Sequence, residues 1–139
     1  MTSMRNLLSS VPLFAELSRQ ELEQIAGVGR EVEFAQGSPI VEHGMQASDF
    51  YLILDGQALL EVPKKKPRQL GPGDSFGEIS VLDGGPRTAT VTAQTPVKAF
   101  RLGRDEFETV LDRHGSIGRK ILVEMCARLR YAESRMRPA

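Results

Sequence analysis

The stretch Phe76-Gly77-Glu78-Ile79-Ser80-Val81-Leu82-Asp83-Gly84-Gly85-Pro86-Arg87-Thr88-Ala89-Thr90-Val91 decides how this chain is read. Gly77 lets the backbone turn tightly and approach a ligand. Glu78 to Leu82 suits a short helix, which Asp83-Gly84-Gly85-Pro86 stops. The first turn of such a helix exposes N–H groups that can cradle an anion. Arg87 follows a short loop later, with a planar fork that matches two phosphate oxygens. Thr88 adds a hydroxyl beside it. Glu78 repels phosphate but accepts hydrogen bonds from sugar hydroxyls. A pocket holding both groups suits a ligand with phosphate and hydroxyl on adjacent faces, as in a ribose phosphate. The alternative is an ion pair between Glu78 and Arg87, with the glycines only making turns.

Upstream of this stretch, short apolar runs alternate with turn residues. Val32 and Phe34, Ile40–Val41, Phe50–Leu54, Ala58–Val62 and Gln69–Leu70 are strand candidates, punctuated by glycines and prolines. Many short strands of this kind indicate a β-sandwich or jelly roll. The run Tyr51-Leu52-Ile53-Leu54 is also compatible with a buried helix, but its brevity and the Asp55-Gly56 turn favour a strand. Val62 to Leu70 reads as a hairpin whose Lys64-Lys65-Lys66 tip protects an exposed edge. Earlier still, Pro12 divides an apolar N-terminal region into a short helix and a turn. Ser18 and Glu21 have capping-box spacing, and Leu22, Ile25 and Ala26 supply the buried stripe of the next helix. Gly27 and Gly29 are its expected stops.

Downstream, Thr88 to Thr92 and Val97 to Leu102 return to strand character. Arg104 to Arg113 forms a helix with Phe107, Val110 and Leu111 on its apolar side. Gly115 marks a break. From Ser116 onward, Ile117, Ile121, Leu122, Met125, Cys126, Leu129 and Ala132 recur at helical spacing, so a long amphipathic helix ends the chain. Cys126, the single cysteine, is expected to be a small core hydrophobe on that face.

The 139 residues fit one domain with a modest core. Lys and Arg total 18, as do Asp and Glu, so net charge offers no general steering toward nucleic acid or anionic membrane. Seven basic residues between Arg113 and Arg137 meet only Glu124 and Glu133, which reads as the solvated face of a helix. No stretch has membrane-spanning length and no signal-peptide core stands at the N-terminus, so a cytoplasmic location is expected.

Several segments together resemble the cyclic nucleotide-binding domain family. Ile40-Val41-Glu42-His43-Gly44 and Asp49-Phe50-Tyr51-Leu52-Ile53-Leu54-Asp55-Gly56 look like the family's early β-roll. Pro72-Gly73-Asp74-Ser75-Phe76-Gly77-Glu78 and Pro86-Arg87-Thr88-Ala89-Thr90 resemble its phosphate-binding cassette. The likeness extends from Leu7 to Arg135. It implies a mainly β fold with flanking helices, a double-stranded β-helix or jelly roll filling residues 1–139 as one domain. Residues 1–28 would be the N-terminal helical segment, 29–102 the β-roll with its cassette at 76–90, and 103–137 the C-terminal helices.

The resemblance also implies roles. Glu78 would bind the ribose 2′-hydroxyl and Arg87 the cyclic phosphate. Backbone groups around Gly77, Ile79 and Ala89, with Ser80 and Thr88, would complete the cradle. Val62 and Leu70 would pack on the purine, and Leu129, with Met125 and Tyr131, would supply the lid. The expected ligand is cAMP, with cGMP an alternative because Thr88 resembles a residue of several cGMP-preferring members. The output would pass through the terminal helix to a downstream protein or a fused effector. A homodimer, or a ligand-independent interaction module, is the further alternative. No DNA-binding domain is seen in the sequence.

Enzyme readings fare poorly. His43 and His114 are the only histidines, too few for a cupin-like metal centre, so no metal is expected. His43 reads as a turn residue and His114 as a helix-end residue. No Ser/His/Asp or Cys/His constellation is present, and a binding function needs none.

Overall fold

A computed structural model describes residues 4–136. Three helical pieces open the chain: α1 (Met4–Ser9), a 3-10 turn (Pro12–Phe14) and α2 (Arg19–Val28). The capping box forms as the sequence indicates. The Ser18 side chain accepts from the Glu21 N–H, and the Ser18 N–H donates back to the Glu21 carboxylate at 2.8 Å. Helix α2 runs through Gly27 and stops at Gly29. A Cβ on Gly29 would lie 2.0 Å from Cζ of Phe100, so this stop also admits a core aromatic ring.

The middle forms two four-stranded antiparallel sheets. The first has the order β1 (Arg30–Phe34), β8 (Val97–Leu102), β3 (Phe50–Asp55), β6 (Ser75–Phe76). The second has the order β2 (Pro39–Val41), β7 (Thr90–Ala93), β4 (Ala58–Glu61), β5 (Arg68–Leu70). The helix α3 (Glu78–Asp83) interrupts the strands, and α4 (Arg104–Arg113) and α5 (Gly115–Met136) complete the chain.

Two apolar clusters explain why β3 is apolar on both faces. Phe50 and Leu52 point toward the helices, where they join Phe14, Phe100, Phe107 and Ile117. Tyr51 and Ile53 point the other way, between the sheets, with Ala58, Leu70, Phe76 and Val91. Side chains alternate along a strand, so a strand covered on both sides needs a continuous hydrophobic run.

Beyond Gly27, the structure departs from the sequence reading at three further places. Ser75–Phe76 pairs with Tyr51 and Leu52 as a two-residue strand too short to carry an alternation signal. Thr88 and Ala89 precede β7, which begins at Thr90, because the Arg87 segment is tied to the 44–45 turn instead. Cys126 is exposed rather than in the core. The reason is length. Helix α5 has 22 residues, and the core reaches only its first turns, burying Ile117 and Ile121. Farther along, Leu122, Val123, Leu129 and Tyr131 are each more than 60% exposed. No described helix is long and apolar enough to cross a membrane.

Candidate functional site

A cavity of about 630 Å³ opens between the second sheet, α3 and the middle of α5. Its most unusual occupant is Arg87. That side chain is only 4% exposed, and none of its three guanidinium nitrogens has a hydrogen-bond partner among the described residues. Burying a cation in this way is costly, so such groups are normally paired. Desolvation pulls its pKa below the ordinary value, although Tyr51 and Asp49 oppose that shift. Asp49 is not free to neutralise it. Its Oδ2 accepts from Arg101 Nε at 2.7 Å and lies 2.7 Å from Arg101 Nη2.

The backbone holds Arg87 in place. The Gly44 N–H donates to the Arg87 carbonyl at 2.9 Å, and the Arg87 N–H donates to Met45 at 3.0 Å. The His43 N–H donates to Thr90 Oγ1 at 3.0 Å and secures the same turn. The guanidinium then packs across Gly77. Gly77 has φ of +89°, and a Cβ there would lie 2.5 Å from the Asp49 carbonyl oxygen and 2.7 Å from Arg87 Nη1. Glycine is therefore required both for the left-handed turn and for the close approach.

Gly77 is also the N-cap of α3, and no side chain caps its first amides. Glu78 occupies the first helical position. Ser75 Oγ donates to Glu78 Oε1 at 2.6 Å, which orients the carboxylate. Glu78 thus takes its hydrogen bond from Ser75, and the ion pair with Arg87 considered from sequence is not formed. At the far end of α3, the Gly84 N–H donates to the Ser80 carbonyl at 2.8 Å. Gly77, Glu78, Ile79, Ser80, Arg87, Thr88 and Ala89 all border the cavity.

Three other candidates do not. Val62 lies beyond the end of β4, in the hairpin loop. Leu70 is 1% exposed, deep between the sheets. Leu129 points to solvent from α5 and is 61% exposed. Met125 packs partly on the helical core, and Tyr131 is exposed. The cavity instead meets Leu60 and Arg68 from the hairpin, and Arg128 from α5.

Both displacements have simple causes. Ala58 pairs with Leu70, and Leu60 with Arg68, so all four share one sheet face. The first pair fills the core and the second faces the cavity. On α5, Arg128 is seven residues beyond the buried Ile121 and keeps its phase, whereas Leu129 is rotated by about 100°. Following the phase of the buried residues, rather than the next apolar side chain, would have found Arg128. Its guanidinium Nε lies 3.7 Å from Glu124 on the same helix.

Ser10 and Pro12 of the N-terminal segment, whose 3-10 turn packs against α5, also line the cavity. The cavity thus has a fixed cationic end at Arg87, a hydroxyl-accepting wall at Glu78, and an open end with apolar and cationic side chains. No group of three or more His, Cys, Asp or Glu among the described residues is placed to hold a metal ion.

Comparison with known proteins identifies the family and the fold. The cyclic nucleotide-binding domain family matches residues 31–114. A cAMP-dependent protein kinase regulatory subunit of Aspergillus fumigatus is 40% identical over 109 residues, covering 75% of this chain and 26% of that protein. The chain spans about a quarter of the length of the curated relatives it matches. The N-terminal domain of a transcriptional regulator from Streptomyces coelicolor A3(2) superposes with a TM-score of 0.83 at 30% identity, covering 95% of this chain and 96% of that one. The regulatory domain of Toxoplasma gondii PKA, solved with cAMP, gives 0.69 at 27% identity, covering 88% and 48%.

Proposed function

Since the chain belongs to the cyclic nucleotide-binding domain family, we propose that it is a sensor that binds cAMP at Arg87 and Glu78 and relays occupancy through α5. The observation that carries this reading is the buried Arg87 guanidinium, whose three nitrogens lack a hydrogen-bond partner among the described residues. A cyclic phosphodiester supplies one negative charge and acceptor oxygens for that fork. The uncapped amides of α3 and the backbone near Ala89 complete the cradle. Glu78, oriented by Ser75, accepts a hydrogen bond from the ribose 2′-hydroxyl. The base then extends toward Leu60 and Arg68. The nucleotide is bound and released unchanged.

Arg128 is the contact through which α5 reads the ligand. For a relay to exist, the nucleotide must bind two positions of α5 with different free energies. The effector is a fused domain or a separate protein. The cAMP assignment rests on the relatives named for cAMP dependence and on the neighbour solved with cAMP.

One observation favours a second reading, cGMP. Arg68 brings a donor fork to the base end, and Thr88 brings a hydroxyl to the cradle. Arginine matches the O6 and N7 acceptors of guanine, whereas adenine presents a donor at N6.

Calorimetric titration with cAMP, cGMP, 2′-deoxy-cAMP and 5′-AMP tests both readings. A cyclic nucleotide is expected to bind at least tenfold more tightly than 5′-AMP, and loss of the 2′-hydroxyl is expected to weaken cAMP binding by about tenfold. Tighter binding of cGMP than cAMP would move the assignment to guanine. A folded protein that binds neither cyclic nucleotide at millimolar concentration would refute the function.

A further inference from the structure

The strongest polar cluster outside the nucleotide cavity centres on Glu21. This carboxylate is largely buried, and its donors come from two distant parts of the chain. The Ser18 N–H donates to it within the capping box at 2.8 Å. Ser116 Oγ and Lys120 Nζ donate from the first turns of α5, the lysine at 2.6 Å. Burial alone would raise the Glu21 pKa, but Lys120, Ser116 and Ser18 together hold it down at about 2. A capping box accounts for the Ser18 contact. It does not account for the two donors from a helix nearly a hundred residues away.

Those two donors tie the base of α5 to the start of α2. The same two bodies meet again at the nucleotide cavity. Arg128 lines the cavity from α5, two turns beyond Lys120, and Ser10 and Pro12 line it from the N-terminal segment before α2. Between these points Ile117 and Ile121 seat the helix in the core, after which most of its apolar side chains lose contact with the rest of the protein. The direction in which the free part of α5 projects is therefore set by its first three turns, with Met125 the last apolar side chain packed on the core. At 1.5 Å per residue Arg128 stands about 12 Å along the helix from Lys120, so a tilt of about 5° at Lys120 displaces Arg128 by about 1 Å.

We propose that Glu21 is a positioning residue for nucleotide binding: through Ser116 and Lys120 it sets the direction of α5 and thereby places Arg128 over the cavity. This inference rests on the nucleotide-sensor reading and adds to it a control point outside the cavity. Glu21 touches no ligand. It acts only through α5, and removing the group it positions removes its effect.

The test is a set of cAMP and cGMP titrations at pH 7 on the full chain and on Glu21→Gln, Lys120→Met, Arg128→Ala and their pairwise combinations. Each of the first two variants is expected to weaken binding about fivefold, and their combination is expected to be no weaker than either alone. In the Arg128→Ala background, Glu21→Gln is expected to change affinity by less than twofold. A spin label on Cys126, the only and exposed cysteine, paired with a second label at an introduced Gln57→Cys, reads the direction of α5 directly. Glu21→Gln is expected to broaden that distance distribution without ligand. Unchanged affinity in a folded Glu21→Gln protein would overturn the inference while leaving the sensor reading intact. So would an equal fivefold loss in the Arg128→Ala background, which would mark Glu21 as a general stabiliser. Failure of the parent chain to bind either nucleotide would overturn both.

Discussion

Arg87 and Arg128 border the same cavity, but the protein holds them by opposite means. Arg87 has its own N–H and carbonyl tied to the 44–45 turn, and its guanidinium rests against the bare backbone of Gly77. It is buried and aimed before any ligand arrives. Arg128 rides on a helix whose outer turns are largely exposed, and among the described residues its side chain pairs with Glu124 one turn away. The cassette end therefore resembles a preorganised binding site. The helix end resembles a movable element drawn from the less stable part of the fold. In the proposed function, recognition and relay are separated along one cavity.

The largest expected difference lies at the cassette end. Arg87→Met is expected to weaken cyclic nucleotide binding by about 100-fold or more, since it removes a buried charge-assisted contact. The same variant is expected to melt at higher temperature than the parent without ligand, because it relieves about 1 kcal/mol or more of unpaired burial. Calorimetry and thermal melts check the two halves. A variant less stable than the parent would show that the guanidinium has a compensating partner inside the protein.

Gly77→Ala comes next. The left-handed backbone and the contacts with Asp49 and Arg87 are expected to cost about 2 kcal/mol or more, read by chemical denaturation. Binding is expected to fall with it, because the new methyl displaces the Arg87 fork.

At the helix end the effects are smaller and depend on pH. A carboxylate with a lowered folded-state pKa contributes stability above its ordinary value and loses it as pH falls through the folded value. For Glu21 that window runs from 4.5 down to about 2. The contribution is on the order of 2 kcal/mol once solvent screening at the partly exposed Lys120 is allowed for. Acid denaturation of Glu21→Gln is expected to lack the loss that the parent shows in that window. Identical acid profiles would show that the Glu21 contacts with Ser116 and Lys120 do not stabilise the fold. Smallest of all, Arg128→Ala is expected to weaken binding by about fivefold. A loss as large as that of Arg87→Met would erase the distinction between the two ends.

The same contrast explains what the sequence could reveal. The cassette was legible because its geometry is local. Gly77, the α3 stop at Gly84 and the single arginine after Pro86 lie within a dozen residues, and each has one dominant physical use. The strand at β3 was legible for the same reason, since its short apolar run ends at the Asp55-Gly56 turn, whereas its burial on both faces emerged only from the structure. The helix end was not, because it depends on phase and register across long separations. Val62 and Leu70 lay on the right hairpin but outside the cavity, one beyond the strand and the other inside the core. Leu129 was chosen for being apolar, whereas the cavity receives the charged Arg128. Cys126 was assigned to a core that ends before it. Glu21 was read correctly as a cap, but nothing in its local sequence announces Ser116 and Lys120 as further donors.

Side-chain NMR of Arg87 tests the central claim most directly. The Nε–H resonance, assigned by its loss in Arg87→Lys, can be followed while cAMP is added to the parent. A large downfield shift and slower exchange with water are expected as the phosphate accepts the guanidinium hydrogens. An Arg87 Nε–H signal unchanged at saturating cAMP would contradict it.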